Sequence, residues 1–338
     1  MTNLLKQTIK DMVVVGKGIL AADESIKTAA KRLAGINVES TEETRRQYRN
    51  LILNAPGMEK YISGVILFEE TLHQKSDEGI LFPELLKKNG IVLGIKVDGG
   101  LADAEGSSGE HFTKGLDTLS KRLEEYKKSK PGFAKWRAVY SISENTPSSL
   151  IIKRNAHDLA KYAKICQEHS IVPIVEPEVL IDGTHSIQTC YKVTEKVQEA
   201  VFDALKHEGV LLEYTILKPS MVISGKQAEN RANVDEVARQ TIKVLKANVP
   251  AELPSINFLS GGQSPQEATS HLNRMHTLGE ELPWYVSFSY GRALQDSALK
   301  AWQGKDENVQ AGQEAFLRRA RLNSLATEGK YSEEMEND

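Results

Sequence analysis

The chain has 338 residues, 40% of them hydrophobic and 26% charged, with a formal net charge of -3. That balance belongs to a soluble globular protein and gives no sign of the basic excess that gathers nucleic acid or an acidic membrane surface, so any attraction for anions has to be local. No segment approaches the roughly 20 apolar residues of a membrane span, and the apolar run Met12 to Val15 is cut short by Gly16-Lys17-Gly18, too soon for a signal-peptide core.

Short apolar, β-rich segments recur every thirty to forty-five residues or so: Gly18 to Ala22, Ile62 to Phe68, Ile91 to Val97, Trp136 to Ile142, Ile171 to Glu176, Tyr214 to Leu217, Ile256 to Leu259 and Tyr285 to Ser289. Helical patterns lie between them. Ser40-Thr41-Glu42-Glu43 is a cap followed by acids. Leu116, Leu119, Leu123 and Tyr126 fall on one stripe, Thr146-Pro147 reads as a cap with proline, and Val193, Val197 and Val201 form a second stripe. Asn233-Val234-Asp235-Glu236 repeats the cap-plus-acid pattern, and Ser264-Pro265-Gln266-Glu267 adds proline at the first helical position.

Strand, loop and helix thus alternate eight times with no composition break that would mark a linker. The pattern predicts one α/β domain over 1–338, a (β/α)8 TIM barrel. A helical region from Arg292 to about Gly329 packs on it, and a short acidic tail covers 331–338. A doubly wound open sheet is the rival, but no G-x-G-x-x-G follows the first strand.

The charges are placed unusually. Lys96-Val97-Asp98, Lys135-Trp136-Arg137 and Glu176-Pro177-Glu178 each put two charged residues two apart in apolar surroundings, and Lys218 closes a fourth apolar run. Residues i and i+2 share a strand face, so each pair projects to one side of the sheet. Isolated buried charge is costly, and one such pair would read as structural ion pairing. Several of them near strand ends point to the C-terminal mouth of a barrel, where active sites of this fold lie.

Lys218 is the candidate nucleophile. Pro219 biases it to extended backbone, and apolar walls with cations nearby, Lys135 among them, would lower its pKa. A free amine there could form a Schiff base with a ketone or aldehyde; the plainer reading is a lysine reaching to the barrel rim. Glu176 and Glu178 could shuttle protons, and Asp23, ending the first strand, is a further base. Ser260-Gly261-Gly262 after the seventh strand and Gly291-Arg292 after the eighth suit a phosphate, with Lys96, Ser25 and Arg32 placed for a second anionic group. Cys166 and Cys190 form no C-x-x-C and read as core filler in a cytoplasmic enzyme. The eight histidines show no ligand spacing, so no metal is expected.

With these residues assembled, the chain resembles the class I (Schiff-base) fructose-1,6-bisphosphate aldolases from about Gly16 to Tyr331. The motifs are GKGILAADES (16–25), GVILF (64–68), FAKWR (133–137), IVPIVEPE (171–178), LKP (217–219), FLSGGQS (258–264) and FSYGRAL (288–294). The resemblance implies Lys218 as Schiff-base lysine, Glu176 as principal acid–base with Glu178 beside it, Lys135 supporting imine formation and Asp23 handling the C4 hydroxyl proton. It places Ser260, Gly261, Gly291 and Arg292 at the ketone-side phosphate, and Ser25, Lys96 and Arg32 at the other end, with Arg137 also in the substrate site. It implies sugar phosphates as partners, a cytoplasmic homotetramer in glycolysis and gluconeogenesis, no nucleic acid, no membrane, and no cofactor beyond the covalent Schiff base. The chain departs from the family pattern at Ile26-Lys27-Thr28, where many members read Thr-Gly-Ser, and its acidic end lacks the terminal tyrosine of eukaryotic members. A different Schiff-base lyase or transaldolase and a non-catalytic scaffold are the competing readings.

Overall fold

Parallel strands buried on both faces must be covered by helices outside and by one another's side chains inside. In the computed structural model, which describes residues 2–106 and 109–337, the strands are β1 (Gly18–Ala22), β2 (Ile62–Leu67), β3 (Val92–Lys96), β4 (Leu101–Asp103), β5 (His111–Thr113), β6 (Phe133–Tyr140), β7 (Val172–Val179), β8 (Ile216–Leu217), β9 (Ser255–Phe258) and β10 (Tyr285–Tyr290). A closed barrel runs β1-β10-β9-β8-β7-β6-β3-β2, and β4 pairs antiparallel with β5 beside it. All eight expected barrel strands form. The fourth begins at Phe133 rather than Trp136, and the sixth shrinks to Ile216–Leu217.

The helices are α1 (Thr2–Met12), α2 (Ile26–Ala34), α3 (Glu42–Leu53), α4 (Glu69–Leu72), α5 (Phe82–Lys88), α6 (Leu119–Tyr126), α7 (Ser149–Glu168), α8 (Ile187–His207), α9 (Val234–Asn248), α10 (Pro265–His276), α11 (Arg292–Trp302) and α12 (Val309–Ala326). Ser264 caps α10 in a capping box with Glu267, as its sequence predicts. Asn233 caps α9 through Glu236 N, and Thr41 rather than Ser40 caps α3. Thr146-Pro147 does not open a helix. Ser148 caps α7 instead, its hydroxyl accepting from Ile151 N at 3.2 Å. The helical region after Arg292 is two helices, because Gln303 and Gly304 both take positive φ and turn α12 back against α11. Asp338, the end of the acidic tail, lies outside the described residues.

Strand alternation sorts the barrel interior. Ile19, Ala21, Ile66, Phe133, Val172, Ile174 and Ile216 share one cluster with Leu5 and Met12 of α1, which closes the base. Ala134, Trp136 and Ala138 belong instead to the larger core beneath the helices. Inner-face positions therefore read apolar at the base. Two residues further along β1, β6, β7 and β8 they turn charged: Asp23 follows Ala21, Lys135 follows Phe133, Glu176 follows Ile174 and Lys218 follows Ile216. Gly94 occupies the inner face of β3 because the Phe133 ring fills that space, and a Cβ on Gly94 would come within 2.2 Å of it.

Candidate active site

The charged layer opens into a cavity of about 760 Å³ lined by every candidate named above: Asp23, Ser25, Arg32, Lys96, Lys135, Arg137, Glu176, Glu178, Lys218, Ser260, Gly261, Gly291 and Arg292. Strand register explains the convergence. Lys96 is level with Lys135 and Arg137 with Glu176, so β3, β6 and β7 present their charges side by side.

Lys218 follows β8, its backbone N–H donating to Val175 O at 2.8 Å, and its side chain is buried. Its Nζ lies 3.3 Å from Glu176 Oε1, while the other oxygen of Glu176 lies 3.4 Å from Lys135 Nζ. The two lysines expected to act on each other thus have a carboxylate between them, which offsets the cost of two cations in one buried layer.

Lys135 also reaches Asp23 Oδ2 at 2.8 Å and Asp98 Oδ2 at 3.6 Å. Burial works against its ammonium, yet Asp23, Glu176 and Asp98 together hold its pKa well above the ordinary lysine value. Burial likewise opposes ionisation of Asp23, but Lys135 and Lys218 outweigh it and keep the carboxyl below its usual range. At Glu178 burial is outweighed by Arg137, whose Nε sits 2.5 Å from the carboxylate.

Sequence reasoning noted Asp98 but gave it no role. The Asp98 side chain is 5% exposed and binds Lys96 Nζ at 2.5 Å, so Lys96 is paired rather than left free. The signal was its two-residue spacing from Lys96; what the spacing could not supply was the partner on β6. Ser289, one residue before the end of β10, also lines the cavity, and its buried Oγ has no hydrogen-bond partner among the described residues; a lone serine gives no sequence signal. Arg122 lines the mouth too, but donates to Val97 O at 2.7 Å and Gly115 O at 2.6 Å, a brace for two loops.

Arg292 opens α11 directly after Gly291 and Arg32 closes α2; neither makes an ion pair among the described residues, and Arg32 Nε is buried without a partner. These are unspent donors for an anion. Beside Arg292, Gly261 and Gly262 take φ of 51° and 84°, and a Cβ on Gly262 would meet Ile181 at 2.9 Å, so this turn admits only glycine. At the altered loop, Thr28 lines the cavity and its Oγ1 hydrogen-bonds Ser25 Oγ at 3.1 Å. Lys27 is exposed and is not among the lining residues.

A family model described as fructose-bisphosphate aldolase class-I matches residues 4–338. A probable class 1 fructose-bisphosphate aldolase of Xanthomonas campestris pv. campestris is 53% identical over 329 residues, covering 97% of this chain and 98% of that one. The cytosolic fructose-bisphosphate aldolase 6 of Arabidopsis thaliana is 54% identical over 316 residues, covering 94% and 88%. A solved structure of Plasmodium falciparum fructose-bisphosphate aldolase, in complex with TRAP and a small-molecule inhibitor, superposes with a TM-score of 0.95 at 48% identity, covering 98% of this chain and 95% of that one.

Proposed function

Because the chain belongs to the class I fructose-bisphosphate aldolase family, we propose that it cleaves fructose 1,6-bisphosphate reversibly to dihydroxyacetone phosphate and glyceraldehyde 3-phosphate through a Schiff base on Lys218. The observation that carries this reading is the sharing of Glu176 between Lys218 and Lys135, at 3.3 Å and 3.4 Å, under an open cavity. A nucleophilic amine, a proton acceptor within reach and a neighbouring cation are the parts that imine formation needs.

The Lys218 amine adds to the ketone carbon C2, Glu176 takes the proton shed by the attacking nitrogen, and it passes that proton to the carbinolamine hydroxyl, which leaves as water. The resulting iminium draws electron density from C3. Asp23, ionised and held by Lys135, takes the C4 hydroxyl proton; the C3–C4 bond breaks, its electron pair forming the enamine and the C4–O bond becoming the aldehyde. A proton returned to C3 regenerates the iminium, and water releases dihydroxyacetone phosphate. The iminium is the electron sink, so this route calls for no metal or external cofactor.

Arg292, Gly291, Ser260 and Gly261 hold the ketone-side phosphate in this reading, and Ser25, Lys96 and Arg32 the other. Asp98 fixes Lys96, and Arg137 fixes Glu178. The chain works as one barrel unit with α11 and α12 packed on it, in the cytoplasm, as a homotetramer, in glycolysis and gluconeogenesis; the two free buried cysteines suit a reducing compartment. Assaying cleavage of a panel of sugar phosphates tests the reading. Fructose 1,6-bisphosphate should be split to two triose phosphates, and Lys218→Ala should lose several orders of magnitude in kcat. Turnover retained by Lys218→Ala, or cleavage confined to a different sugar phosphate, would contradict it.

A further inference from the structure

The two phosphate-binding pieces of the mouth are carried by separate elements, the loop after β1 with Ser25 and the start of α11 with Gly291 and Arg292. A buried polar cluster joins them from behind. Gln295, 1% exposed and one turn into α11, donates through Nε2 to Ala21 O at 2.7 Å and to Glu24 Oε1 at 3.1 Å. Its Oε1 accepts the Tyr48 hydroxyl at 2.6 Å. Arg49, 3% exposed on α3, donates from Nη1 to Glu24 Oε2 at 2.8 Å and from Nη2 to Glu24 O at 3.2 Å, and its guanidinium lies 5.0 Å over the Tyr48 ring. The backbone carbonyls this cluster engages among the described residues, Ala21 and Glu24, lie on either side of Asp23. Of its members Glu24 lines the cavity, whereas Tyr48, Arg49 and Gln295 do not.

A buried guanidinium, a carboxylate and an amide, each with its partners met, make a stiff joint. We propose that Tyr48, Arg49 and Gln295 are positioning residues that fix the spacing between the loop after β1 and α11, and so make the enzyme selective for a sugar carrying two phosphates over one carrying a single phosphate. The inference rests on the phosphate assignments above. A bisphosphate engages both subsites at once only if their separation matches its own length, and a preset separation removes the ordering cost of bringing them to it. A ketose with phosphate only on the ketone side uses one subsite and is indifferent to the spacing. Asp23 has an independent anchor in Lys135, so loosening the joint displaces Ser25 and Arg32 more than the base.

Steady-state kinetics on the full chain with fructose 1,6-bisphosphate and fructose 1-phosphate test this. Tyr48→Phe deletes one hydroxyl and keeps the ring; Gln295→Met is a second, nearly isosteric variant should either be poorly folded. Each should raise KM for the bisphosphate about fivefold, the size of one lost hydrogen bond, with kcat within about twofold and KM for fructose 1-phosphate nearly unchanged. The double variant should lose little more than the worse single one, since both act on one network. Equal losses on the two sugars, or a lowered unfolding temperature with unchanged kinetics, would reduce the cluster to a structural role and overturn the proposal. A wild-type chain that cleaves neither sugar would instead overturn the aldolase reading beneath it.

Discussion

Lys135 Nζ faces three carboxylates, from β1, β3 and β7 neighbours, within 3.6 Å. Removing it leaves Asp23, Asp98 and Glu176 facing one another without their shared cation. Lys135→Met should lower kcat by about 10²–10⁴, the range for losing a positioned proton-handling group. It should also change acid stability. Asp23 and Asp98 have pKa values depressed on folding, so their stabilisation is present above their unfolded pKa of about 4 and lost as pH falls through the folded values. Without Lys135, burial acts with less opposition, the folded values rise, and the acid-unfolding midpoint should move to higher pH. Circular dichroism across the acid range reads this; an unchanged midpoint would mean that Lys135 is not what holds these carboxylates. The same residue shows what was legible. Two-residue spacing put Lys135 with Arg137 and Glu176 with Glu178 on shared strand faces, while Lys218 was marked only by closing an apolar run. It could not tell that Asp98 completes the set, because partners are fixed by the register between strands.

Among the elements, β3 and β6 show how side-chain size sets that register. Gly94 is level with Phe133, and the ring occupies the volume a Cβ would need. Gly94→Ala should therefore destabilise the fold by about 1–3 kcal/mol through overpacking. Phe133→Leu in that background should recover part of the loss in urea unfolding. Strictly additive costs would contradict direct packing between the two sites. Barrel strands were readable because each is an apolar run bounded by turn residues. The β4–β5 hairpin was not, since its three-residue strands are partly exposed and carry no apolar run. At Thr146-Pro147 the cap-plus-proline pattern pointed two residues early, because Ser148 offers an equally good cap and its hydroxyl takes Ile151 N.

For the molecule as a whole, the acidic tail is the segment whose role the sequence left open. Tyr331 is 6% exposed, its N–H donates to Asn273 Oδ1 at 3.1 Å, and its hydroxyl donates to Glu336 Oε1 at 2.9 Å. Glu336 in turn pairs with the buried Arg319 at 2.6 Å. The segment packs against α10 and α12 outside the barrel wall, and neither Tyr331 nor Glu336 lines the mouth cavity. Deleting 331–338 should lower the unfolding temperature, by stranding Arg319, while leaving enamine proton exchange nearly unchanged. Exchange that collapses while carbon–carbon cleavage persists would show that the tail reaches the active site. If the proposed Schiff base forms, one lysine at the barrel mouth becomes covalently joined to substrate. Borohydride reduction in the presence of dihydroxyacetone phosphate, followed by peptide mapping, should inactivate the enzyme and label Lys218 alone. A label on Lys135, or full activity after the treatment, would contradict the account.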